Sequence, residues 1–160
     1  MKLRDQFTFK QKPTGLFKWF LGMPRWIFRL RLGSMFGHRF VLLEHYGRKS
    51  GAIYQTPLEV VVRDGDTYTV CSGTGPRADW YLNLKARPAH GLWVGSRLHR
   101  VEQRFLPDEE AGQALADYEV AHPKAAKRLE EAMGVGYEDI GVPRIEAAQA
   151  IPMIEFELAD

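Results

Sequence analysis

Residues 58–71 read Leu58-Glu59-Val60-Val61-Val62-Arg63-Asp64-Gly65-Asp66-Thr67-Tyr68-Thr69-Val70-Cys71. Two β-branched runs meet at Asp64-Gly65. Asp-Gly in that setting is a strong hairpin signal, because a type I′ turn needs positive φ at both central residues. A second hairpin is expected from Leu92 to Phe105 around Gly95-Ser96. Its apolar parity shifts between Leu98 and Val101, which predicts a bulge or a strand buried on both faces. Phe40 to Tyr46 and Ile151 to Leu158 read as further strands. Trp80 to Lys85 reads as a short helix ending before Pro88. A second helix opens on acid at Pro107-Asp108-Glu109-Glu110 and runs towards His122. Pro123 opens a third, to about Met133, and Gly134 to Ala150 is irregular, punctuated by Gly136, Gly141 and Pro143. Short strands with hairpin turns and a few helices predict a mainly β, α+β chain, built as a partly closed antiparallel barrel.

Between the first strand and the first hairpin stands Tyr46-Gly47-Arg48-Lys49-Ser50-Gly51. This glycine-bracketed turn can aim backbone N–H groups, a guanidinium, an ammonium and a hydroxyl at one anion, most naturally a phosphate. Arginine offers a bidentate fork and lysine a compact charge. A surface turn with two solvated cations is the plainer alternative.

At 160 residues the chain is expected to be one domain with a substantial core. The net charge of +2 hides an asymmetry: residues 1–50 hold 11 Lys+Arg against 2 Asp+Glu, and the remainder 11 against 18. A basic first third implies an anionic partner. Nucleic acid is disfavoured, since there is no zinc-finger spacing and no basic helix free of large apolar residues. The five histidines show no His-x-x-x-His and no partner cysteine, so no metal site is expected. The one cysteine, Cys71, fits a reducing cytosol and a buried strand position. No stretch has the length of a membrane span and no signal peptide is visible. Gly-x-Ser-x-Gly is absent, which disfavours hydrolysis.

Residues 1–36 form a basic segment ahead of the barrel of residues 37–160. Leu16 to Phe36 reads as two short helices hinged near Gly22-Met23-Pro24. Lys18, Arg25 and Arg29 share a stripe opposite Phe17, Phe20, Trp26 and Leu30. Such a segment can pack across a barrel opening with its cations solvated. It can also lie on an anionic leaflet, which would put a cytoplasmic protein on the inner face of the membrane.

The Gly-Arg-Lys-Ser-Gly turn, Thr56-Pro57-Leu58, Cys71-Ser72-Gly73 and Trp80-Tyr81-Leu82-Asn83-Leu84 follow one another at a spacing that resembles the deazaflavin-dependent nitroreductase family, whose members bind coenzyme F420. The resemblance covers Phe40 to Leu106, with a weaker echo at Ile151-Pro152-Met153-Ile154. It implies a split antiparallel β-barrel of the FMN-binding-like kind and, as cofactor, a 5-deazaflavin with a phosphate and an oligoglutamate tail. Carried over by position, Gly47, Arg48, Lys49, Ser50 and Gly51 would hold the phosphate end. Pro57 would shape the backbone near the tail and ring, and Ser72 and Gly73 would offer backbone donors along the ring's polar edge. Trp80 would pack beside the ring and Asn83 would hydrogen-bond the tail region. Trp80 as a core aromatic, Asn83 as the brace of a turn and Ser72-Gly73 as a strand end are the ordinary alternatives.

The implied activity is hydride transfer from reduced F420 to a small electrophile: a quinone, an enone or a nitro compound. A non-catalytic F420-binding or storage protein is one alternative, and an FMN-dependent split-barrel reductase another. The sequence departs from nitro-reducing members in several places. Gly73 replaces a lysine, the loop to Asp79 is short, and Glu59 stands where a large apolar residue is common. Only Tyr118 and Tyr137 could serve as substrate-pocket tyrosines. No catalytic residue is assigned, although His122 is of a type that could donate a proton. A barrel with exposed strand edges is also a candidate for pairing with a second copy.

Overall fold

Alternation along β1 (Phe40–Tyr46) sends Val41, Leu43 and His45 to one face and Leu42, Glu44 and Tyr46 to the other. The computed structural model describes residues 39–72, 75–124, 127 and 145–159. In it β1 lies between β2 (Ile53–Asp64) and β4 (Gly91–Val94), antiparallel to both. With β3 (Thr67–Cys71), β5 (Arg97–His99), β6 (Val101–Phe105) and β7 (Met153–Leu158) the sheet has the order β5-β4-β1-β2-β3-β7-β6. Every pairing among the described residues is antiparallel.

The two ends of this order are neighbours in sequence: only Arg100 separates β5 from β6. The sheet must therefore curl until its ends meet, and the Arg100 carbonyl accepts the Ala159 N–H at that corner. This explains the parity shift between Leu98 and Val101. It marks the chain leaving β4 to pair with β7, rather than a bulge in one continuous hairpin. The irregularity of the sheet lies elsewhere, in β2 between Val60 and Val62. There the longest strand bends from its pairing with β1 into its pairing with β3. The result is a split barrel.

The inner faces contribute Val41, Leu43, Leu58, Val60, Tyr68, Val70, Leu92, Ile154 and Phe156 to one core. Helix α1 (Asp79–Ala86) closes it with Trp80, Tyr81 and Leu84. Outside the barrel, α2 (Asp108–Ala121) and α3 (Ile145–Ala150) cover Val61, Cys71, Ile151 and Met153 through Ala111, Leu115 and Ala148. On the outer face of β1 the buried Glu44 carboxylate accepts Gln55 Nε2–H at 2.7 Å and Trp93 Nε1–H at 2.9 Å. That satisfies a group which would otherwise be costly to bury.

Some expectations are corrected. Asp64 pairs with Thr67, so the central turn residues are Gly65 and Asp66, one place beyond the Asp-Gly pair, with Gly65 at φ +56°. Strand β2 begins at Ile53, earlier than its apolar run. Within the stretch read as irregular, Ile145–Ala150 is helical. The Leu16–Phe36 segment, Gly73, Tyr137 and most of residues 125–144 lie outside the described residues. Among the described residues no helix is long and apolar enough to cross a membrane.

Phe156 is fully buried between β3 and β6. Phe156→Ala is expected to lower unfolding free energy by about 3–5 kcal/mol, read from the midpoint of urea denaturation.

Candidate functional site

The turn after β1 is held by its own backbone. Gly51 N–H donates to the Gly47 carbonyl at 2.7 Å, and Gly47 N–H to the Ala52 carbonyl at 2.8 Å. Gly51 takes φ +69°, a region that L side chains rarely adopt. At Gly47 a Cβ would stand 2.6 Å from both Ser50 Oγ and Tyr54 Cε2. The Ser50 hydroxyl lies 3.4 Å from that of Tyr54 and accepts the Ala52 N–H at 3.2 Å.

Helix α1 then fixes the turn in space. Asn83, almost wholly buried, offers its Oδ1 to two donors of Arg48, the backbone N–H and Nη1–H, each at 3.0 Å. Arg48 Nη2 meets Asp79 Oδ1 at 2.9 Å. The other end of the carboxamide, Asn83 Nδ2–H, donates to His45 Nδ1 at 3.1 Å, and His45 Nε2 lies 2.9 Å from Thr56 Oγ1. With Nδ1 accepting, the proton of a neutral ring sits on Nε2 and donates to Thr56. Burial pulls the His45 pKa down to about 4, opposed only in part by the Asp79 carboxylate.

Between turn and helix opens a cavity of about 510 Å³, lined by Gly47, Arg48, Lys49 and Ser50 from the turn. His45, Tyr54, Gln55 and Thr56 line it from the strands, and Ala78, Asp79, Trp80 and Asn83 from the helix side. Its volume falls in the range of roughly 300–1,000 Å³ usual for small-molecule sites. Since Arg48 is engaged by Asp79 and Asn83, Lys49 supplies the cavity's unpaired cation among the described residues.

Six of the ten residues singled out in the sequence thus come together: Gly47, Arg48, Lys49, Ser50, Trp80 and Asn83. Gly51 closes the turn behind them. Pro57 stands in β2 opposite Leu42 and does not line the cavity. Ser72 does not line it either. Its N–H donates to the Pro152 carbonyl at 2.9 Å and its hydroxyl to the Gly75 carbonyl at 2.6 Å. Glu59 pairs with Arg39 at 3.2 Å and accepts the Tyr118 hydroxyl at 3.4 Å, on the face of β2 that α2 covers. His122 packs on Tyr118, so neither belongs to the cavity. The Cys71 thiol, pushed up to about 12 by burial and by the Glu59 charge, stays protonated and is no nucleophile. Sequence reading missed His45, Tyr54 and Asp79. The first was detectable, because strand parity sets His45 on the same inner face as Val41 and Leu43.

A family model for F420H(2)-dependent quinone reductases matches residues 29–133. The chain belongs to this family. It is therefore an oxidoreductase that depends on coenzyme F420. Solved structures share its architecture. One described as a domain-swapped dimer is 24% identical, with 80% of this chain and 90% of that chain covered at a TM-score of 0.51. The heme storage protein HutZ from Vibrio cholerae is 9% identical, with 82% and 88% covered, also at 0.51. An F420-H2 dependent reductase, FDR-A, is 24% identical, with 74% and 94% covered, at 0.49. At these identities the first two show the fold alone, the split barrel.

The chemistry of the cavity fits a cofactor with an anionic end and a conjugated ring. Lys49 and the turn supply the charge and donors, Ser50 and Tyr54 supply hydroxyls, and Trp80 supplies an aromatic wall.

In this F420-dependent reductase His45 takes up a proton more readily unfolded, near its ordinary 6.5, than folded, near 4. The unfolded state thus binds more protons between those values, and stability is lost as pH falls from about 6.5 towards 4. Arg48, Lys49, Tyr54 and Asp79 line the same cavity as His45, and of these the Asp79 carboxylate opposes the lowering. His45→Gln is expected to flatten this part of the stability–pH curve, measured by urea unfolding from pH 7 to 4. An unchanged slope in the variant would show that His45 does not cause it.

Proposed function

We propose that the protein passes hydride from reduced F420 to a small electron-poor acceptor, of which a quinone fits best, with enones and nitro compounds as further members of the class. The observation that carries this reading is the cavity between the Gly47–Gly51 turn and α1, in which a free lysine, hydroxyls and an aromatic wall converge. The description of the matching family supports a quinone over the other acceptors.

In this reading Lys49, the Ser50 hydroxyl and the turn's backbone hold the anionic end of the coenzyme. Arg48 and Asn83 act behind them, keeping the turn against α1. Trp80, anchored in the barrel core, presents part of its ring as one wall. When bound, reduced F420 supplies a hydride from carbon 5 of its deazaflavin ring. The residues of the chain need only orient donor and acceptor and keep bulk water from between them. The phenol of Tyr54, 43% exposed and beside Ser50, adds a further hydroxyl for the coenzyme's anionic end. The reading treats residues 1–160 as one split-barrel domain, with 1–36 as a basic N-terminal segment and 37–160 as the barrel. Pairing with a second copy would follow the precedent of the domain-swapped relative.

The test is titration of the purified protein with oxidised F420, followed by fluorescence, with FMN in parallel. Micromolar or tighter binding to F420, followed by turnover of quinones with the reduced form, is the expected result. Binding to FMN alone would move the protein to the flavin branch of this architecture, and binding of F420 without turnover would make it a storage protein.

Changing Arg48 and Lys49 together to Ala removes both the brace and the free charge. F420 binding should weaken at least about tenfold, equivalent to roughly 1.4 kcal/mol or more. Unchanged affinity would remove the anion-binding role of the turn.

A further inference from the structure

We propose that His45 is a positioning residue, whose unprotonated Nδ1 selects the orientation of the Asn83 carboxamide and through it the placement of Arg48 and the anion-binding turn. The inference rests on the proposed role of that turn in holding the coenzyme.

A carboxamide can sit in its plane two ways, exchanging O for NH₂. Arg48 presents only donors to Asn83, namely its backbone N–H and Nη1–H, both 3.0 Å from Oδ1. The flipped amide would oppose NH₂ to those donors and release the turn. Nothing in Arg48 is chemically able to accept an N–H at that position. The group that rewards the productive orientation from the opposite side is His45 Nδ1, which accepts Nδ2–H at 3.1 Å. A proton on Nδ1 would reverse the preference, facing N–H against NH₂. The Thr56 hydroxyl completes the device by taking the Nε2–H at 2.9 Å, so the ring keeps its proton on the far nitrogen. His45 is 3% exposed and Asn83 5%, so water does not readily replace a lost partner. The lowered pKa of His45 agrees, since the ring stays neutral at physiological pH. One inner-face position of β1 thereby governs a turn that begins two residues later but is fixed by an asparagine 38 residues away in sequence.

Two measurements test this. In the full chain with ¹⁵N-labelled histidine, long-range ¹H–¹⁵N correlation at pH 7 should show His45 neutral, protonated on Nε2 and bare at Nδ1. A proton on Nδ1, or an imidazolium, would overturn the proposal whatever the variants do. The second compares His45→Gln, which can offer an amide oxygen to Asn83, with His45→Leu, which offers no acceptor. His45→Leu should weaken F420 binding roughly tenfold by fluorescence titration, with the loss appearing in the KM for coenzyme rather than in kcat. His45→Gln should recover most of it. Equal affinity of His45→Leu and wild type, or equal loss in both variants, would contradict the positioning role. Arg48 and Lys49 double-alanine protein is the control. If it binds F420 normally, the anion-turn reading itself fails. If it is weakened while His45→Leu is not, only the positioning role fails. Should His45→Leu not fold, the tautomer and the Gln variant still decide.

Discussion

Three parts of the chain meet at the side chain of Asn83. Its oxygen carries Arg48 and hence the Gly47–Gly51 turn; its nitrogen is held by His45 on β1; its backbone belongs to α1. Remove that one carboxamide and the turn has lost its buried partner, leaving Asp79, through an exposed ion pair and a long bond to its carbonyl, as its tether to the helix. Exposed ion pairs are worth little on their own, so the geometry of the cavity depends on a neutral, buried hydrogen-bonding group more than on its charges.

That group is in place because of the barrel. Trp80, Tyr81 and Leu84 sink α1 into the core formed by Val41, Leu43, Leu58, Val70 and Phe156. The same alternation that buries Val41 and Leu43 carries His45 to the barrel mouth. Core packing therefore sets both walls of the site, and the site's polar network reads out the register of β1. Arg48 takes a role distinct from Lys49 for the same reason. Its fork is used within the protein, whereas the lysine next to it lines the cavity with no protein partner among the described residues. An arginine and a lysine in sequence do not amount to two equivalent clamps.

Much of this was legible in the sequence. The strand at Phe40–Tyr46, the β2–β3 hairpin, the β4–β5 turn at Gly95-Ser96 and helices α1 and α2 follow from apolar period, turn residues and proline placement. The cationic turn and Trp80-to-Asn83 segment were recognisable by their order. What was not legible depended on contacts far apart in the chain. The parity shift at Leu98–Val101 is a barrel corner, which local pattern cannot separate from a bulge. Gly65-Asp66 rather than Asp64-Gly65 occupies the turn because register with Thr67 decides it. Helix α3 is too short to show a period. Ser72 looked like a donor for a ring, yet both its donors are spent on Pro152 and Gly75. Whether a polar group faces ligand or protein is settled by tertiary partners, and a motif does not display them.

In the proposed function the turn, held on α1 by Asn83, receives the anionic end of the coenzyme. A crystal structure of the protein with F420 tests it most directly. Phosphate oxygens are expected within hydrogen-bonding distance of Lys49, Ser50 or the turn's backbone N–H groups, with the Arg48–Asn83–His45 chain intact behind them. A phosphate bound away from Gly47–Gly51, or an Asn83 side chain turned from Arg48 to the ligand, would contradict it.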